Sequence, residues 1–350
     1  MKSIYSTFII SLILLSVGAH SKDNSINNFE FYKQNSTLPS SLKSIELNPH
    51  HITNNNYQSY SLLSENLIEK ISDKFFIEYP NNKKIRAEIN FIKKNKNYMK
   101  QVLSRAEPFF SYIVSELKAR KMPLELALLP IVESSYDPFA YSIGQAAGLW
   151  QMIPITASRF GLEQNWWFDG RRDLILSTGA ALDYLAYLYN YFDDNWLLAI
   201  AAYNAGEGNI SKAIKKNEAK SLPTDFWNLK LSRQTTAYVP RLLALIEIIK
   251  YPKKHNSQIP IIKNDKYFSI IKIDNQIDLA LAAELAEMDL NELYLLNAGF
   301  NRWATSPNGP HRLLIPNENA ITFTEAYELL PANQRLRWKR HQVTYGETLS

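Results

Sequence analysis

The sequence predicts a mainly α-helical domain followed by a small α+β module. Apolar residues recur at helical spacing between about residues 62 and 251. After Pro252 the pattern changes to strand, helix, helix and strand within about fifty residues. The chain has 350 residues, 46% of them hydrophobic, which is enough to bury one large core and a smaller one.

The first segment, residues 1–21, has the pattern of an export signal. Lys2 precedes a short apolar stretch, and Ala19 and Ser21 suit the −3 and −1 positions of a signal-peptidase site. We therefore expect export, with a mature protein that starts near Lys22. An uncleaved membrane anchor is the alternative, although the apolar stretch is short for a complete span.

Residues 22–60 are rich in Asn and Ser and predict an irregular lead-in. The helical region follows at 61–252. It begins with apolar spacing from Leu62 onward and continues in a long helix over RAEPFFSYIVSELKARK, which Pro108 is expected to bend or break. Pro123 and Pro154 suit first helical turns. Further helices are predicted at roughly 173–192, 195–203 and 232–250.

The module at 266–320 reads as βααβ. YFSIIKI and HRLLIP are strand-like, and DLALAAELAEMDLNELYLLNAG contains two short helical segments. Residues 341–350, HQVTYGETLS, repeat the start of such a module without the helix that should follow. We expect either a truncated chain or a ragged C-terminus.

Composition excludes several chemistries. The absence of cysteine removes disulfides, thiolate catalysis, cysteine-ligated metals and a lipid-modified cysteine. All six histidines lie outside the helical region, so a Ser-His-Asp triad or a histidine metal site is excluded there. We expect no metal and no cofactor. The net charge of +5 suits an anionic polymer or surface but selects none, and a generic basic exported protein has the same charge.

Carboxylates remain as the acid–base groups, and one of them is unusual. Glu133 ends the apolar run LELALLPIVESSYDP, where burial would raise its pKa and suit it to act as a general acid. A solvated glutamate at a helix end is the ordinary alternative. Other nearby acids have structural explanations, because Glu125 lies in a first helical turn, Asp137 precedes a proline and Asp173 can cap a helix.

Neutral hydrogen-bonding groups follow Glu133 in two motifs. GLWQ at 148–151 supplies an amide, and AAYNAGEG at 201–208 supplies a tyrosine and an asparagine beside a glycine. Such groups recognise sugar hydroxyl and acetamido groups, although a helix C-cap and a core aromatic explain the second motif equally well. Tyr141, Trp150, Trp166 and Trp167 lie in the same stretch of sequence, as sugar-stacking or packing residues.

The motifs in order resemble the lytic murein transglycosylases with a goose-type lysozyme fold, and among these the transglycosylase D branch. The resemblance spans roughly residues 80–250 and rests on LELALLPIVESSYDP, GQAAGLWQMIPITASRFGL, the RRDL of 171–174, WLLAIAAYNAGEGNI and TTAYVPRLLALI. It implies a lysozyme-like helical catalytic domain. It also implies cleavage of peptidoglycan glycan strands between N-acetylmuramic acid and N-acetylglucosamine, with 1,6-anhydro ends.

The resemblance also implies roles for individual residues. Glu133 would be the sole catalytic acid and later the base. Trp150 stands where the GLMQ form of the motif has methionine, which leaves the shape of the sugar subsites open. The other implied residues would bind substrate or orient the acid: Ser134, Ser142, Gln151, Tyr203, Asn204 and Tyr238.

The 266–320 segment resembles a degenerate LysM glycan-binding unit, and 341–350 resembles the opening of a regular one. The expected partner is therefore peptidoglycan rather than nucleic acid, and the expected location is the periplasm or cell envelope, without a cysteine-linked lipid anchor. Two other functions stay open. One is a lysozyme-like hydrolase on the same fold, and the other is a non-catalytic peptidoglycan-binding protein.

Overall fold

The computed structural model describes residues 66–95 and 97–337, which fall into two compact units. Within the described residues, the first unit comprises 66–164 and 170–267, and the second comprises 165–169 and 268–337. The expected signal at 1–21, the lead-in at 22–60 and the segment 341–350 lie outside the described residues.

The first unit is built from helices, as the sequence predicts. Its α-helices are α1 (Leu67–Ser72), α2 (Lys83–Lys94), α3 (Tyr98–Ala119), α4 (Leu129–Ser134), α5 (Pro154–Arg159), α6 (Leu174–Tyr191), α7 (Trp196–Ala205), α8 (Glu207–Glu218), α9 (Arg233–Lys250) and α10 (Pro252–His255). A 3₁₀ helix at Leu124–Leu128 leads directly into α4. Helices α2 and α8 were not predicted as separate elements.

Helix α3 continues past the proline that it contains. It runs without interruption through Pro108, so of the two expectations, a bend or a break, the break is wrong. The buried side chains of α3, among them Phe109 and Phe110, pack on the same unit and α3 contacts the 3₁₀ helix. Tertiary packing of this face therefore outweighs the local cost of the proline.

Helix α1 is shorter than the apolar spacing predicted. It ends at Ser72, and the following chain is not helical. The backbone N–H groups of Phe76 and Ile77 donate hydrogen bonds to the carboxylate of Glu125. Because these amides bond to a distant side chain, they are not available to continue a helix.

Helix α9 forms the centre of the first unit. It is buried along most of its length and packs against α2, α4 and α7. The predicted cap of α6 is confirmed, since Asp173 Oδ1 accepts from Leu176 N at 2.9 Å. Asn195 and Ser232 cap α7 and α9 in the same way. Capped ends fix the helices that carry the candidate site.

The second unit confirms the predicted order of strand, helix, helix and strand. Its elements are β1 (Phe268–Lys272), α11 (Leu279–Leu285), α12 (Leu290–Leu296), β2 (Arg312–Pro316) and α13 (Ala320–Leu329). The strands are antiparallel, with Phe268 opposite Pro316 and Lys272 opposite Arg312. Helix α13 was not predicted, but it completes the core of this unit through the fully buried Phe323.

The short segment 165–169 belongs to this second unit. Asp169 N donates to Gly299 O at 2.8 Å, and Phe168 is 2% exposed within the core of the unit, its ring 5.4 Å from that of Phe300. Trp166 and Trp167 form a cluster with Trp303 here. Trp166 and Trp167 thus pack within the second unit, in agreement with the packing alternative of the sequence analysis.

Within residues 66–95 and 97–337, we find no helix with the length and apolar character that a membrane span requires.

Candidate active site

Glu133 lies in the last turn of α4, and the residues after it fix where that helix stops. Pro130 occupies the first turn of α4, and Ser135 ends it in a left-handed conformation with φ 55°. The next residue, Tyr136, is 1% exposed, and its hydroxyl donates to Ala127 O at 2.7 Å. A buried anchor immediately after the helix holds the glutamate in one position.

The surroundings of Glu133 suit a proton donor. Its side chain is half-buried, and the hydroxyl of Tyr238 on α9 donates a hydrogen bond to Oε1. Burial raises the pKa of Glu133 from 4.5 to about 7, and the hydrogen bond from Tyr238 partly opposes this rise. In a large fraction of the molecules, Glu133 is therefore protonated at neutral pH, as the apolar run in the sequence predicted.

The GLWQ motif forms a tight turn that depends on its glycine. Gly148 has φ +77°, and a Cβ atom there would lie 2.0 Å from the carbonyl oxygen of Arg171. Gln151, also left-handed at φ 47°, uses its side-chain N–H group to donate to the carbonyl oxygens of Ala140 (3.1 Å) and Gly148 (2.9 Å). These bonds hold the amide of Gln151 in place.

Trp150 and Ser134 have structural contacts rather than contacts with the cavity. Trp150 is fully buried, and its Nε1 donates to Thr178 Oγ1 at 3.0 Å. The substitution of tryptophan in this motif therefore fills the core. Ser134 was expected to bind substrate, but its hydroxyl donates to Leu149 O at 2.9 Å and it does not line the cavity. Its geometry ties α4 to the GLWQ turn.

The AYNAG motif ends α7 beside the acid. Gly206, with φ +81°, follows the helix and begins α8. Tyr203 in the last turn donates its hydroxyl hydrogen to Trp150 O at 2.9 Å. Burial raises the pKa of Tyr203 well above its usual value, and the charge of Glu133 adds to that rise. The hydrogen bond thus joins the two motifs, and Tyr203 lies near enough to Glu133 to respond to its charge.

These parts surround one cavity of about 480 Å³. It brings together the acid and five of the six other residues that the sequence analysis named: Ser142, Gln151, Tyr203, Asn204 and Tyr238. Ser142 Oγ accepts from Ala146 N at 3.0 Å, which shapes the loop on this wall. Among the described residues that line the cavity, Glu133 is the only carboxylate.

The sequence analysis missed several residues of the lining: Thr156, Tyr184, Gln234 and Arg241. Two of these lie on α9 at four residues before and three residues after Tyr238. Helical periodicity from Tyr238 would have placed them on the same face. No signal in the sequence marks Thr156 or Tyr184.

A second buried carboxylate, Glu125, has a structural explanation. It is fully buried in the 3₁₀ helix, and Oε1 accepts from Ile77 N at 2.6 Å as well as from Phe76 N. Burial raises its pKa, while the backbone hydrogen bonds and the charge of Lys250 oppose the rise. The expectation that a helix dipole alone explains Glu125 is incomplete, since its main contacts come from residues 48 and 49 positions away.

Two family models match this chain. The transglycosylase SLT domain matches residues 111–225, and the LysM-like domain of lytic transglycosylase MltD matches residues 267–332. The membrane-bound lytic murein transglycosylase D of Escherichia coli (strain K12) is 37% identical over 290 residues, which are 80% of this chain and 64% of that relative. The chain thus spans less than two thirds of the length of this relative.

Two further proteins are similar over shorter stretches. A protein of Alteromonas sp. (strain M-1), whose name refers to tributyltin chloride resistance, is 40% identical over 171 residues, 49% of this chain and 81% of that relative. The crystal structure of the soluble lytic transglycosylase SLT70 from Escherichia coli is 21% identical, with a TM-score of 0.34 over 47% of this chain and 30% of that chain. The resemblance drawn from the motifs is confirmed by the two family models and the 37% identical relative.

Proposed function

Because the chain belongs to the lytic transglycosylases through its SLT domain at residues 111–225, we propose that it cleaves peptidoglycan strands between N-acetylmuramic acid and N-acetylglucosamine. One observation carries this proposal. Glu133, with a pKa of about 7, is the only carboxylate in the lining of a cavity whose other walls bear neutral amide and hydroxyl groups. A protonated acid amid neutral donors and acceptors suits a glycosidic bond.

The proposed reaction uses Glu133 twice. The protonated carboxyl group gives its proton to the glycosidic oxygen as the bond to the anomeric carbon of N-acetylmuramic acid breaks. The carbonyl oxygen of that sugar's own N-acetyl group attacks the anomeric carbon and stabilises the positive charge. Usual glycosidases need a second carboxylate for this purpose, and the lining supplies none.

In the second half of the reaction, Glu133 acts as a base. Its carboxylate takes the proton of the sugar's 6-hydroxyl group, and the 6-oxygen bonds to the anomeric carbon as the N-acetyl oxygen leaves. The product is a 1,6-anhydro sugar, and no water is consumed. Attack by a group on the same ring gains a large effective concentration. Tyr238 bonds to the carboxylate and would orient it through both steps.

Roles for the other lining residues follow from their positions. Gln151 and Asn204 line the cavity with amide groups, and Ser142 lines it with a hydroxyl group suited to the acetamido group. Tyr203 fixes the wall between the two motifs through Trp150. Ser134 would act only by positioning the GLWQ turn.

The rest of the chain would bring this site to its substrate. We assign residues 61–252 to catalysis, 266–320 to a LysM-like glycan-binding module, and 341–350 to the start of a further module. Residues 1–21 would direct export, and residues 22–60 would form the lead-in to the catalytic domain. The protein would then act in cell-wall turnover in the periplasm or envelope. The presence of the MltD LysM-like family model at 267–332 supports this arrangement.

Mass analysis of products from purified sacculi tests the proposal. We expect fragments that end in 1,6-anhydro-N-acetylmuramic acid, each one water lighter than the hydrolysis product. Products dominated by reducing-end N-acetylmuramic acid would instead establish a lysozyme-like hydrolase. No release of fragments by the intact protein, together with retained binding to sacculi, would establish a non-catalytic binding protein.

A further inference from the structure

Arg241 stands out among the lining residues because no step of the proposed reaction uses it. It lies on α9, three residues after Tyr238 and seven after Gln234, and all three side chains line the cavity. This spacing puts them on one face of the helix. The arginine is therefore part of the same wall that carries the partner of the acid.

Arg241 is also the only lysine or arginine among the residues that line the cavity. The pKa of Glu133 is shifted by burial and by Tyr238, and Arg241 is not among the causes of that shift. The cation thus lies close enough to meet a ligand in the cavity without holding the acid in its ionised form. When Glu133 is protonated, the lining has a net positive charge.

One edge of the guanidinium group is held and the other is available. Nε lies 3.3 Å from Oε2 of Glu88 on α2, and the side chain of Arg241 is 36% exposed. Within the described residues, neither Nη group has a hydrogen-bond partner. A guanidinium group held by its Nε edge presents its remaining donors in a fixed plane, the geometry that a carboxylate matches.

We infer that Arg241 binds a carboxylate group on the substituent that distinguishes muramic acid from N-acetylglucosamine. That substituent is a lactyl ether, which has a free carboxylate in peptide-free strands and otherwise carries a stem peptide with carboxylates of its own. The inference rests on the proposed function, because it presumes a muramic acid ligand in this cavity. Arg241 would thereby favour N-acetylmuramic acid over N-acetylglucosamine in the part of the cavity beside Glu133.

Binding in a catalytically inactive background tests this inference. We would measure dissociation constants of Glu133→Gln protein for three tetrasaccharides: a peptide-bearing muramic acid ligand, its peptide-free form, and chitotetraose, which has no carboxylate. Adding Arg241→Gln should weaken one or both muramic acid ligands by about tenfold or more and change chitotetraose by less than about twofold. Which muramic acid ligand is weakened identifies the lactyl or the stem-peptide carboxylate as the group bound.

Two control variants separate binding from structure. Arg86→Gln removes the same charge from α2 at a residue outside the lining, and should leave all three dissociation constants unchanged. Glu88→Gln removes the negative partner of Arg241 but keeps a hydrogen-bond acceptor. It should leave carboxylate binding equal or tighter, because the guanidinium charge is less neutralised, whereas a purely structural ion pair predicts weaker binding.

The inference fails if Arg241→Gln weakens chitotetraose as much as the muramic acid ligands, if it weakens none of them, or if Glu88→Gln reproduces its effect. The proposed function is tested separately by the products that the intact protein releases from sacculi. If the intact protein releases anhydro products but Arg241→Gln does not discriminate between the ligands, this inference is overturned and the proposed function stands.

Discussion

The hydroxyl of Tyr238 donates a hydrogen bond to Oε1 of Glu133 across 105 positions of sequence. This bond joins the end of α4 to the middle of α9, which is buried along most of its length. It also favours the ionised form of the acid, while burial favours the neutral form. The balance of the two effects sets the pH range in which the acid can act.

The first prediction concerns this balance. Tyr238→Phe removes the only interaction found to lower the pKa of Glu133, so that pKa should rise above about 7. The alkaline limb of the kcat/KM profile, where the acid loses its proton, should move upward by ~0.5–1 pH unit. The maximal rate should fall, because the carboxylate also loses its orientation. The measurement is turnover of soluble glycan strands between pH 5 and 9.

Tyr79→Phe is the matched control, since Tyr79 donates to Glu247 at 2.8 Å and neither residue lines the cavity. It should leave the alkaline limb in place. If Tyr238→Phe moves that limb to lower pH, the hydrogen bond does not act on Glu133 as described.

The second prediction is that Glu133→Gln abolishes turnover while the fold persists. The change keeps the size of the side chain and removes the transferable proton, so activity should fall by ~10² or more. Stability should respond to pH in a definite direction. The native pKa of about 7 exceeds the ordinary value of 4.5, so the native intact protein binds more protons between these values and loses stability as pH rises through that window.

Glu133→Gln removes this loss. At pH 8 the free energy of unfolding of the variant should therefore exceed that of the intact protein by roughly 1–2 kcal/mol, a figure that allows for the partial exposure of Glu133. Urea unfolding at pH 4 and pH 8 measures it. Glu247→Gln is the opposite case, because hydrogen bonds from Lys254 and Tyr79 outweigh burial and lower the pKa of Glu247, so this variant should lose stability at pH 8 instead. Activity of Glu133→Gln within a few-fold of the intact protein would refute its assignment.

The third prediction separates two glycines with the same backbone conformation. Gly148 and Gly161 both have φ +77°, but a Cβ at Gly148 would lie 2.0 Å from Arg171 O, whereas at Gly161 nothing lies within 4 Å. Gly161→Ala should therefore cost only the ~1–2 kcal/mol of a left-handed alanine. Gly148→Ala should cost several kcal/mol more and displace Gln151. Thermal unfolding and glycan turnover check both variants, and equal costs would show that the close approach is absent.

Local chemistry made part of this site predictable, and long-range contacts made the rest unpredictable. The apolar run before Glu133 indicated a raised pKa, and the helices that carry the motifs followed from periodicity and caps. The pairing of Glu133 with Tyr238 came only from resemblance, because 105 positions separate them. The burial of Glu125 and the membership of Phe168 in the second unit depend on partners that no local pattern specifies. Arg241 could have been found by extending the helical period from Tyr238.

The last prediction concerns Phe168, whose ring lies in the core of the second unit although the chain before residue 165 and from 170 to 267 belongs to the first. Phe168→Ala should destabilise the second unit by about 3–5 kcal/mol, because it leaves a cavity beside Phe300. Hydrogen exchange at the amides of β1 and β2 should accelerate accordingly. Trp166→Ala, at a side chain that is 47% exposed, is the control and should change this exchange far less. Unaltered exchange in Phe168→Ala would mean that residues 165–169 do not support this core.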